Sequence, residues 1–192
     1  MALPSNTTSA LKEWATVLTA LERGEQTVLI RKGGLIEPGS GFEVLSETFL
    51  FYPTFEHQAV NYLRPQYQPH FEAALAHRAP EGMVTFSLLG QAVRSFSSQD
   101  PLLIERLSAH HIYNQDFQTQ RLKWQPDQPL AVVIVRAFRL ATPITIPVAP
   151  HYAGCKSWVN LEHPVALTEA KPVLDEITFG QRLQLLEALL KR

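Results

Sequence analysis

The run Ala131-Val132-Val133-Ile134-Val135 constrains this chain more than any other segment. Successive side chains of a strand point to opposite sides of a sheet, so an unbroken apolar run of this kind needs cover on both faces. It predicts a central strand over residues 130–140. With the helical patterns on either side, it predicts an α+β fold: a mixed, mostly antiparallel sheet with packed helices and a C-terminal helix.

The rest of the chain supplies elements to pack on that strand. Leu11, Trp14, Ala15, Leu18 and Leu21 recur at helical spacing and predict a helix over 9–23, stopped at Gly24. A strand over 26–31 follows, then a Gly33-Gly34 break, a loop over 35–41, and a strand over 42–52 with a bulge near Ser46. Prolines bracket a helix over 69–77 that turns Phe71, Ala74 and Leu75 inward. Two strands, 83–89 and 91–96, hinge at Gly90, and Asp100 caps a helix over 101–110. Pro143 and Pro147 flank a short edge strand. Thr178 and Gln181 form a capping box for the last helix, which lays Phe179, Leu183, Leu186 and Leu190 along one face. The parse is one compact domain of two lobes over 1–192, with a sub-boundary near Pro80 as the alternative.

Composition narrows the function classes. Seventeen Lys and Arg against eighteen Asp and Glu leave a net charge of -1, so no global field draws the chain to a phosphate backbone or an anionic membrane. Nucleic-acid binding therefore needs a local patch. A single cysteine, no secretory leader in residues 1–8 and no apolar run of bilayer length point to a cytoplasmic protein without a membrane partner.

Two spots carry polar groups that packing does not require. The run over 49–58 enters a turn at Pro53 and delivers Tyr52, Glu56, His57 and Gln58, while Phe49, Phe51 and Phe55 read as core. Upstream, Arg31 and Lys32 leave a β-branched run just before the two glycines, a pattern that can expose amides and cations to an anion. Together these residues describe one pocket, with His57, supported by Glu56, as a candidate general base and Arg31, Lys32, Tyr52 and Gln58 as candidate binding groups. Arg136 and Arg139 beside Phe138, together with Tyr113, Trp124, Tyr152 and Trp158, form a second set of candidate binding residues, suited to phosphates and stacked bases. Cys155 lies beside Lys156, with His57, His151 and His163 as the imidazoles available to activate it, but it reads more simply as a small residue behind a turn. Metal chemistry is poorly served. Only four aspartates are present, three of them in caps or turns, and His110-His111 read as helix-terminal residues. No cofactor motif is present, and no cofactor or metal is expected.

Lys12-Glu13-Trp14-Ala15, the segment 27–34, the segment 51–58 and Cys155-Lys156-Ser157-Trp158 together resemble domain-of-unknown-function family 1802, a bacterial family common in cyanobacteria. The resemblance covers nearly the whole chain. The family's suggested association with restriction-type endonuclease domains implies nucleic acid as a partner and supplies no activity or residue roles. The second half, with Gly90, a helix, the strand over 132–140 and the segment 143–147, is similar to PUA-like barrels of the ASCH and EVE groups, which implies a cleft for RNA or modified bases. The leading expectation is a recognition module for nucleic acid or a nucleotide, linked to restriction or nucleic-acid processing. The rivals are an enzyme acting on a small anionic or phosphorylated substrate through His57, and a protein-interaction domain without catalysis.

Overall fold

The computed structural model describes residues 3–32 and 42–191, so the predicted Gly33-Gly34 break and the loop over 35–41 lie outside the described residues. One sheet runs through both halves of the chain. Its strands are β1 (Asn6–Trp14), β2 (Val28–Arg31), β3 (Thr48–Thr54), β4 (Met83–Ser98), β5 (Leu130–Pro147), β6 (Trp158–Ala166) and the two-residue β7 (Lys171–Pro172). They lie in the order β2-β5-β4-β3-β1-β6, with β7 added to β5. β1 and β3 are parallel and every other pair is antiparallel, which matches the mixed, mostly antiparallel sheet expected. The helices are α1 (Ala15–Glu22), α2 (Gln68–Ala76), α3 (Leu103–Arg106), α4 (Gln115–Lys123) and α5 (Glu176–Leu190). No helix among the described residues is long and apolar enough to cross a membrane.

Val132 to Val135 are almost completely excluded from water, as their unbroken apolar run requires. Along β3 the alternation divides the core. Phe49 and Phe51 join one apolar cluster with Val28, Leu88 and Ile134, while Leu50 and Tyr52 join a second with Phe86, Leu89 and Phe138. Each such side chain contributes about 1.5–3 kcal/mol on burial. Both faces of the sheet are therefore covered. The path of paired strands is open: among the described residues its end strands, β2 and β6, do not pair with each other.

Several expected elements differ. The predicted helix over 9–23 is a strand to Trp14 and a helix from Ala15, because Ala10 and Leu11 sit between β3 and β6 and bury both faces. A strand wet on neither side gives no period-2 signal, and its apolar positions imitate a helical stripe. The helix ends where expected. Gly24 adopts φ +69° and donates to the Leu21 carbonyl at 3.0 Å, while Glu25 N–H reaches Ala20 at 2.9 Å, a Schellman pair. β3 begins at Thr48 and runs through Pro53, which lies opposite Glu13 on β1 and past Leu50, the last β3 residue in register with β4. A missing N–H costs nothing on that outer side. Phe55, expected in the core, is only partly covered.

β4 is one strand. Gly90 supplies no hinge: a Cβ there would lie 2.7–2.9 Å from the Phe49 and Phe51 rings, so the position is glycine because two aromatics lie against it. Bending enters instead at register shifts between Phe86 and Leu88 and between Ala92 and Arg94. β5 also continues, to Pro147, with Pro143 falling in the segment between Arg139 and Ile144 where no residue is in register. The predicted helix over 101–110 is the single turn of α3, followed by a 3₁₀ turn over Ser108–His110. Asp100 does not cap it: Leu102 is the N-cap, without a side-chain bond, and Asp100 accepts from Leu102 N–H at 2.8 Å in the turn that precedes the helix. In α2 His70 and Ala74 are buried and Phe71 packs against the core as expected, but Leu75 is exposed. α5 is capped by Asp175, which accepts from Thr178 N–H at 2.9 Å and from its hydroxyl at 2.7 Å, so the cap lies three residues before the expected one.

Candidate cationic and aromatic cavity

Arg31 ends β2, and its guanidinium reaches across to the far side of the sheet. Nη1 donates to the Lys12 carbonyl and to Glu13 Oε2, both at 3.1 Å, and Nη2 donates to Ser157 Oγ at 2.8 Å. The open path of strands is thus bridged by one side chain. Glu13 is only 5% exposed, and its other oxygen accepts from Trp14 N–H at 2.8 Å. Its charge is therefore fully committed.

Beside this bridge lies a cavity of about 530 Å³. One side is aromatic: Trp14, Tyr62, Phe117 and Trp124. Trp14 stacks on Tyr62 with the planes 15° apart and meets Phe117 edge-on, while Phe117 lies flat on Tyr113 at 3.6 Å. The other side is cationic: Arg31, Lys32, Arg121 and Lys156. His57, Gln120, Cys155 and Ser157 complete the lining, and no carboxylate is among these residues.

The four cations differ in what holds them. Lys32, 4% exposed, donates to the carbonyls of Arg121 and Leu122 at 3.3 and 3.2 Å, in the last turn of α4 where helix carbonyls lack partners. Burial lowers its pKa, Arg121 lowers it further and Asp127 opposes both. Arg121 lies over the Phe117 ring at 5.0 Å. Lys156 donates to the His151 carbonyl. Arg31 is neutralised by Glu13, so the positive field of the cavity comes from Lys32, Arg121 and Lys156. His57 enters at φ +62°, a left-handed conformation that histidine adopts more readily than most residues.

A second cavity, about 690 Å³, adjoins the first and is lined by Lys12, Tyr52, Glu56, Arg78 and Gly154 among others. Burial raises the Tyr52 pKa, helped by Tyr152 and Glu56. The expected single pocket is therefore divided: Arg31, Lys32 and His57 line one cavity, Tyr52 and Glu56 the other. Gln58 lines neither. Its Oε1 accepts from Thr16 N–H at 3.3 Å and Thr16 Oγ1 at 3.0 Å, capping α1, whose own N-cap residue, Trp14, offers no side-chain bond.

Arg136, Arg139 and Trp158 also lie outside both cavities. Arg136 pairs with Glu176 at 2.7 Å and lies over the Phe138 and Phe179 rings. Arg139 donates to the Glu22 carbonyl, and Trp158 donates to the Glu43 carbonyl at 2.9 Å while stacking on Phe42. Sequence reasoning passed over Arg121 and Gln120 because α4 was not expected, and Trp14 and Tyr62 because an apolar stripe and a connector absorbed them. The run Arg121-Leu122-Lys123-Trp124, basic residues interleaved with an aromatic, was the available signal. Among the described residues no group of three His, Cys, Asp or Glu side chains is placed to hold a metal ion.

Comparison with curated proteins gives no significant match. Among solved structures, the chain is similar to the ASCH protein of Zymomonas mobilis at 12% identity, with 93% of this chain and 94% of that one covered and a TM-score of 0.44. Two mutants of that protein match in the same way, at 11% identity with 93% and 96% covered and a TM-score of 0.45, and at 13% identity with 96% and 99% covered and a TM-score of 0.43. The family described as "Domain of unknown function (DUF1802)" matches residues 10–184, from β1 into α5, so both cavities lie within the matched span, and the chain belongs to that family.

Proposed function

We propose that the protein is a recognition module for nucleic acid or nucleotides, and that the cavity between Trp14 and Arg121 is its binding site. One observation carries the reading: in a chain of net charge -1, the described residues line a cavity of about 530 Å³ with four cations, four aromatic residues and no carboxylate. Aromatic faces accept any base, and cations hold the phosphate. The volume lies within the 300–1,000 Å³ or so usual for a small-ligand site. Arg31 and Lys32, expected as direct ligands, serve better as a fixed floor, because backbone carbonyls, Glu13 and Ser157 already engage them. Arg121 and Lys156 are the phosphate contacts; Lys156, less buried than Lys32, exchanges the His151 carbonyl for a phosphate oxygen. Trp14 and Trp124 report occupancy: titration with 5′-mononucleotides and short single-stranded RNA quenches their fluorescence, and the effect weakens with salt. A protein that binds neither at low salt is not such a module.

A second reading rests on His57, which lines the same cavity as these cations, and makes it the general base for a small anionic substrate. It predicts turnover of a phosphoester that is lost in His57→Ala. Binding without turnover across a panel of phosphoesters leaves recognition alone.

A further inference from the structure

We infer that the two adjoining cavities form one track, and that the preferred ligand is a single-stranded oligonucleotide placing its phosphates in the cationic cavity and a neighbouring base in the larger one. This rests on the reading just proposed and adds the polymer to it. Consecutive residues line opposite sides of one ridge: Glu56 faces the larger cavity and His57 the cationic one, and Gly154 and Cys155 divide in the same way. The two cavities therefore share a boundary at these two segments.

Lys12 ties the two sides together. Its carbonyl accepts from Arg31 in the cationic cavity, while its ammonium lines the other and donates to the Gly154 carbonyl at 2.9 Å. That ammonium feels Lys156 and Cys155, which belong to the cationic side, and Glu56, which belongs to its own. A chain that crosses the ridge meets this cation as it enters the larger cavity.

The two linings differ in a way that assigns the parts of the ligand. The larger cavity balances Lys12 and Arg78 with Glu56 and Glu81 and includes Tyr52 and Phe55. A balanced lining with carboxylates disfavours a phosphate. It suits a neutral base, whose exocyclic amino group donates to a carboxylate while a ring stacks its face. Each cavity falls in the size range of a site for one small unit.

The test is competition for a fluorescein-labelled RNA octamer by unlabelled 5′-mononucleotides and mixed-sequence tetranucleotides, in low salt. The tetranucleotide is expected to bind about tenfold or more tighter, the increment of one additional stacked base. Arg78→Ala and Glu56→Gln, both on exposed side chains and checked for folding by circular dichroism, are expected to reduce that ratio about fivefold or more. Equal affinity for the two ligands overturns the track and leaves a mononucleotide site intact. A length preference that neither variant reduces also overturns it, by placing the second base elsewhere. Failure of both ligands to compete, with no binding of the octamer, removes the proposed function and the track together.

Discussion

Arg31 and Glu13 meet at 3.1 Å and join β2, one end of the sheet, to β1, beside the other end. The side chains are 17% and 6% exposed, so the pair is held away from water, with Lys12, Ser157 and Trp14 satisfying most of its remaining hydrogen bonds. Removing one partner of such a pair strands the other. Glu13→Ala is expected to cost about 3 kcal/mol or more by urea unfolding, with Glu13→Leu paired with Arg31→Met less costly than either single change. A double variant as unstable as the sum of the singles refutes this coupling.

If Arg121 and Lys156 are the phosphate contacts, salt dependence counts them. Each phosphate neutralised on a single strand contributes about -0.7 to the slope of log K against log salt, so two contacts give a slope near -1.4. Arg121→Ala and Lys156→Ala should each flatten it by about 0.7, measured by anisotropy between low and physiological salt. Arg136→Ala, whose partner is Glu176, should leave the slope unchanged.

His111 makes stability depend on pH. It is buried, with Nδ1 accepting from Tyr113 N–H at 3.2 Å and Nε2–H donating to the Ile104 carbonyl at 3.0 Å. Desolvation, with lesser help from Arg64 and His110 and against those hydrogen bonds, lowers its pKa from 6.5 to about 4. Above 6.5 it is neutral whether folded or unfolded. Between 6.5 and 4 only the unfolded chain takes up the proton, so stability falls as pH drops through this window and the contribution levels off below it. The full effect is about 3 kcal/mol. Urea midpoints for the wild type should follow this fall, and His111→Gln should show a shallower one, with the residue due to His110, whose pKa burial also lowers.

Gly90→Ala tests the packing account of β4. The added methyl group must displace Phe49 or Phe51, and overpacking of this kind costs about 1–3 kcal/mol. A variant as stable as the wild type in urea would refute this packing account.

Local chemistry was legible in the sequence; long-range pairing was not. The β5 core, the Gly24 stop, the helix over 68–76 and the last helix announce themselves through residues adjacent in sequence. β1 was misread because Leu11 and Trp14 satisfy a helical stripe as well as a strand covered on both faces. α4 escaped because its sequence is polar all round, with Phe117 its one buried residue. The site shows the same division. Arg31, Lys32 and His57 stood out as chemistry that local packing did not need, and the fold does bring them together. Gln58 stood out for the same reason and proved to cap a helix 42 positions away. No local pattern distinguishes a ligand group from a distant cap.

Ala10 and Val159 face each other across β1 and β6, 149 positions apart in the chain. During synthesis β1 emerges first and waits for β6, the partner on its second edge, until nearly all of the described chain has been made. In that interval it offers an apolar strand with an unpaired edge. Assembly of this sheet should therefore be slow and concentration-sensitive, with the N-terminal strand as the segment most exposed to wrong partners before β6 arrives.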